Sequence, residues 1–142
     1  MEFGFIGVSA ALTLAAIGSA LGAGTAGMTA IGAWKKCFAQ NKPAPFLLVL
    51  FVGAPLTQTI YGYILMNDLK KAVEANDWLV LGAGILGGIA MGFSALFQGK
   101  ASAAASDALA ETGKGTGQYL MVVGLVETVA LFVMVFLMGA VN

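Results

Sequence analysis

YLMVVGLVETVALFVMVFLMGAV, residues 119–141, is long and apolar enough to cross a bilayer as one helix, yet it holds one charged residue, Glu127. About 20 predominantly apolar residues span a hydrocarbon core as an α-helix, because lipid cannot satisfy free backbone N–H and C=O groups. Working outward, residues 46–66 reach the same length. Residues 3–34 and 78–110 are longer, rich in Gly, Ala and Ser, and turn polar only near their C-terminal ends. The sequence therefore predicts an all-α membrane protein of four transmembrane helices. Three polar connections join them: WKKCFAQNKPA (34–44), NDLKKAVEAND (67–77) and a stretch ending in ETGKGTGQ (111–118).

Composition agrees. Of 142 residues, 59% are hydrophobic and 10% charged, and mean hydropathy is +0.90. Soluble domains carry about 25% charged residues, so water cannot be the solvent for this surface. Net charge is zero, and neither His nor Arg occurs. Nucleic-acid binding and imidazole chemistry are thereby excluded. Cys37 is the single cysteine, which excludes an internal disulfide and a multi-Cys metal site. Glu2 stands where a secretory leader would carry basic residues, so no cleaved signal peptide is expected.

The first and third connections share a side and hold Lys35, Lys36, Lys42, Lys100 and Lys114. The middle one has Lys70 and Lys71, diluted by Asp68, Glu74 and Asp77. The positive-inside rule then makes the first and third connections cytoplasmic, with both termini outward. Trp34 and Trp78 fall at helix ends, where an amphipathic ring suits the headgroup layer.

The chain also repeats itself. GSALGAG (18–24) aligns with FSALFQG (93–99) at four identities in seven, and PLTQTI (55–60) aligns with GLVETV (124–129). The division expected is a first hairpin over 1–66, an outward connection over 67–77 and a second hairpin over 78–142. In the second alignment Gln58 falls on Glu127, so one hairpin has a carboxylate where the other has an amide. Gly84, Gly88 and Gly92 recur every four residues, as do Gly18 and Gly22. Small residues at that spacing let helix backbones approach closely in a membrane. Because such faces run along nearly the whole of both long helices, they are expected to serve a crowded assembly of many copies.

A charge at the bilayer centre costs about 2.5–3.5 kcal/mol on insertion scales. Glu127 has three ways out: holding a proton, since desolvation disfavours the charged form, pairing with a cation, or facing water. The sequence offers no Lys or Arg within any span, so no permanent internal salt bridge is expected. A carboxylate that must be neutralised by something mobile is a carrier site. Pro55 removes a backbone N–H and leaves carbonyl oxygen short of its usual partner; the residue four before it is Phe51. Thr57, Gln58 and Tyr61 add a hydroxyl, an amide and a phenol nearby, and Gln98 on the third span adds another amide. Hard cations prefer oxygen ligands, whereas a proton requires only the Glu. This cluster favours Na⁺ over H⁺. Counting rise per residue from Trp78 places Gln98 about 30 Å along its helix, deeper toward the cytoplasmic side than Glu127 or Gln58.

The doubled hairpin, P-x-T-Q-x-x-Y-G at 55–62, F-S-x-x-x-Q-G-K at 93–100 and V-E-T at 126–128 resemble the proteolipid (K or c) subunit of V-type and A-type rotary ATPases, in its sodium-translocating bacterial branch. The resemblance implies a ring of identical copies, odd-numbered spans inside and even-numbered spans outside. It implies that Glu127 carries the ion, that Thr57, Gln58, Gln98 and the carbonyl of Ala54 coordinate Na⁺, and that Tyr61 holds the carboxylate closed. The implied partners are a membrane stator subunit with an essential Arg, a central-stalk subunit docking on the cytoplasmic connections, and lipid. Leu56 departs from the pattern, which has Gly there. No Gly-x-x-x-x-Gly-Lys phosphate loop occurs, so ATP hydrolysis is expected in another subunit. Two other readings use the same residues: a small four-helix proton-coupled multidrug transporter, whose Glu would be expected in the first helix, and a structural pore proteolipid, which leaves the oxygen cluster without a role.

Overall fold

The computed structural model describes residues 3–141; Met1, Glu2 and Asn142, and with them the leader argument resting on Glu2, lie outside the described residues. Among these, the secondary structure is entirely helical. It comprises α1 (Gly4–Ala39), α2 (Leu48–Gly53), a 3₁₀ turn (Ala54–Leu56), α3 (Thr57–Ala72), α4 (Asp77–Thr112) and α5 (Thr116–Val141). α2, the 3₁₀ turn and α3 together form one span, so four helical spans are long and apolar enough to cross a membrane. This is a multi-pass membrane protein.

The helices overrun the apolar segments. α1 continues to Ala39, through the lysines after Trp34, and the second span continues to Ala72. The links that remain are short, 40–47, 73–76 and 113–115. Lys, Ala and Glu are good helix formers, so a helix leaving the bilayer has no local reason to stop there. It stops where the chain supplies a terminator. Gly113 takes the left-handed conformation at φ 66° after α4, as helix C-termini favour.

α1 and α4 are each 36 residues long, run parallel, and form the most intimate pair. A Cβ on Gly84 would fall on the backbone of Gly7, one on Gly18 on Gly92, and one on Gly99 on Gly22. Gly88 is blocked in the same way by Ala10. The glycine faces are thus consumed inside one chain. That corrects the expectation that they serve contacts between copies. At the end of the pair where α1 and α4 begin, the Asp77 carboxylate accepts from the backbone N–H groups of Phe3 (3.0 Å) and Gly4 (2.5 Å). It satisfies α1 donors that have no partner within the helix. Phe3 stacks on Trp78 with ring centroids 5.5 Å apart.

At the other end the Cys37 thiol lies 3.7 Å from the Ala110 carbonyl, so the α1–α2 and α4–α5 links share a side. Trp34 is no simple interfacial anchor. It is half-buried, and its Nε1–H donates to the Pro45 carbonyl at 2.7 Å, tying the first connection to α1. The α2–α3 span and α5 pack on one side of the α1–α4 pair. α5 is the most exposed helix, burying Val123, Ala130 and Met134.

Candidate ion-binding site

The site lies where α3, α4 and α5 meet, and the break at Pro55 shapes its floor. Pro55 is buried within the 3₁₀ turn, whose Ala54 carbonyl accepts the Thr57 backbone N–H. The Thr57 hydroxyl lies within reach of that same carbonyl (3.0 Å) and of Gln58 Oε1 (3.1 Å). Thr57, Gln58 and Ala54 oxygens therefore converge within one turn. The Phe51 carbonyl, which the missing Pro55 donor pointed to, belongs to a residue buried in the core cluster below. Leu56 is 52% exposed, so its bulk points away and leaves the turn unobstructed.

Glu127 sits near the middle of α5, half-buried. The Tyr61 hydroxyl donates to its Oε1 at 2.6 Å, and Gln98 Nε2 donates to its Oε2 at 3.0 Å. Gln98 Nε2 also reaches the Val123 carbonyl at 3.1 Å. Gln58 Nε2 donates to Gln98 Oε1 at 2.8 Å. Both glutamines are fully buried, where an unpaired amide is costly. The six residues singled out in the sequence thus form one connected cluster.

The depth conflict over Gln98 resolves through helix length. α4 has 36 residues, roughly 54 Å at 1.5 Å per residue, far more than a core of about 30 Å. Gln98 lies close to its midpoint, level with Glu127. The hydrogen bond from Gln98 Nε2 to Glu127 Oε2 fixes the two at the same level whatever the count from Trp78.

Two features differ from the sequence reading. Gln98 turns its amide nitrogen, not its oxygen, to the carboxylate; acting as an oxygen ligand requires reversal about its last side-chain bond. Lys100, placed by the sequence in a connection, lies inside α4 two residues beyond Gln98. Successive residues turn by about 100°, so Lys100 faces away from Glu127. Its ammonium rests over the Phe97 ring at 4.9 Å, and among the described residues no Lys forms an ion pair with Glu127.

Sequence reasoning missed Ser94. It is buried, its hydroxyl donates to the Val126 carbonyl at 3.0 Å, and Gln58 Nε2 approaches it at 3.4 Å. Its position four residues before Gln98, on the same helix face, was the available signal. The buried Ser102 and Ser106 continue that stripe without a hydrogen-bond partner among the described residues.

These features define a class: a helical membrane proteolipid with one carboxylate held at mid-span by neutral hydrogen-bonding groups. Residues 81–138 match the family model of the ATP synthase C subunit. The chain is also 32% identical over 133 residues to the A-type ATP synthase subunit K of Methanocaldococcus jannaschii, across 91% of this chain and 57% of that protein. It thus spans a little over half the length of that relative. Both comparisons support a proteolipid c/K subunit of a rotary ATPase. A small multidrug transporter would be a different family.

Proposed function

We propose that this chain is one copy of a membrane rotor ring and that it carries Na⁺ on Glu127. The observation behind this reading is the single mid-span carboxylate joined to Tyr61, Gln98, Gln58, Thr57 and the Ala54 carbonyl. Desolvating a sodium ion requires several oxygens in place of water. Glu127, Gln58, Thr57 and Ala54 supply them, with Gln98 joining after its amide turns. Tyr61 keeps the carboxylate folded inward. With the ion bound the site is neutral and crosses lipid at low cost. A cationic stator Arg favours the free carboxylate and releases the ion. ATP hydrolysis in a soluble sector turns the ring, or ion flow turns it the other way.

The close α1–α4 pair suits the inner wall, leaving α3 and α5 outside toward the stator and lipid. The first and third connections face the cytoplasm of a cell membrane and meet the central stalk. The chain is read as two tandem hairpins, 1–66 and 78–142, joined by the outward connection. Transport of H⁺ by the same rotor is the second reading, favoured by the Gln98 nitrogen facing Glu127, an arrangement that needs no cation.

Carbodiimide, which attacks a protonated carboxyl in an apolar setting, separates the two. The purified protein is labelled across a pH series with and without Na⁺, and modification is mapped by mass spectrometry. Suppression of Glu127 labelling by Na⁺ is expected. Labelling indifferent to Na⁺ leaves the proton rotor, and no labelling at any pH removes the carrier role.

A further inference from the structure

We infer that Ser94 is a positioning residue that sets which way the Gln58 amide points, and through it the preference of the site for Na⁺ over H⁺; this rests on the sodium reading above. The Ser94 hydroxyl has one proton, and that proton is committed to the Val126 carbonyl at 3.0 Å. Toward Gln58 it therefore offers a lone pair, and Gln58 Nε2 lies 3.4 Å from it. The second hydrogen of the same nitrogen goes to Gln98 Oε1 at 2.8 Å. Both Gln58 donors are thus directed at α4, and Oε1 is left facing Thr57 and the carbonyl turn at Ala54.

With Gln98 oriented as seen here, reversing the Gln58 amide would set its oxygen against Gln98 Oε1 and against the Ser94 lone pair; once Gln98 turns its oxygen to the ion, the Ser94 lone pair alone opposes the reversal. Each is an acceptor facing an acceptor in a buried place, the costly arrangement for polar groups. Without Ser94, that remaining penalty disappears and the reversed amide becomes accessible. The ion then loses an oxygen ligand for part of the time, whereas a proton on Glu127 loses nothing. Ser94 bonds to Val126 and Gln58 and to neither carboxylate oxygen, so its effect on Glu127 passes through Gln58 and the α5 backbone.

The test uses the full chain in its native assembly, with carbodiimide modification of Glu127 titrated by Na⁺ at fixed pH. Ser94→Ala removes both hydrogen bonds at nearly constant shape; Ser94→Cys keeps the volume with a weak donor and acceptor. Both variants should need more Na⁺ for half-protection, Ser94→Ala about tenfold more. The pH profile of labelling without Na⁺ should stay as in the wild type, which a general loosening between α4 and α5 would not permit. An unchanged half-protection concentration in an assembled variant overturns the assignment, as does a shift of the Na⁺-free pH profile. A wild type indifferent to Na⁺ removes the sodium reading and this inference together. A protected wild type with equally protected variants removes the role of Ser94 alone.

Discussion

Glu127 is held by two donors of different kinds, a phenol at 2.6 Å and an amide at 3.0 Å. A hydrogen bond to a charged group is worth about 1.5–3 kcal/mol, so Tyr61→Phe should release bound sodium at least about tenfold faster, read as isotopic sodium exchange in the purified protein. Glu127→Gln removes the only charge in the cluster and should abolish both labelling and transport. Lys100 gives the contrasting case. Its ammonium stacks on Phe97 and faces away from the cluster, so Lys100→Gln should shift sodium half-protection by less than about twofold, within the range of surface substitutions. Polar residues among apolar ones made Glu127, Gln58 and Gln98 legible in the sequence. Ser94 was not, because serine in a Gly/Ala/Ser-rich membrane helix packs as a small residue far more commonly than it orients a neighbour.

Between α1 and α4 the backbones approach so closely that side chains are excluded. Gly84→Val would place three carbons on the Gly7 backbone, and overpacking of this kind costs about 1–3 kcal/mol or more. Thermal unfolding in detergent should show the loss, while Gly82→Ala, with nothing within 4 Å, should leave the midpoint unchanged. Asp77→Ala removes the cap from α1, a loss of about 1 kcal/mol. Hydrogen exchange at Phe3 and Gly4 should rise before any change at the Glu127 cluster. The four spans could be read from apolar length because lipid imposes that length on any helix. Their ends could not, since the bilayer sets where a helix becomes polar and leaves open where it stops. The glycine stripes were visible too, but their partner was not: a small-residue face fits a helix of its own chain as well as one from a neighbour.

In the whole molecule the exposed apolar surface of α5 and α3, with Leu125, Val129, Phe132 and Ile60 all more than half exposed, has no partner within the chain. Native mass of the detergent-purified protein should show a closed ring of many copies; a monomer or dimer would contradict the rotor. In the rotor proposed above, the pairing of one hairpin bearing Glu127 with one bearing Gln58 would also set a gear ratio. In a ring of such chains, half of the hairpins carry no charge, so a circumference of given size moves half as many ions per turn as one charged at every hairpin. Each ion must then account for twice the arc of rotation. The work of a full turn is shared among fewer ions, so a given supply of ATP can drive each of them against a steeper gradient. Restoring a carboxylate at position 58 would not simply double the throughput. That side chain is fully buried against Gln98 and Ser94, where a second charge would face the first with one amide between them.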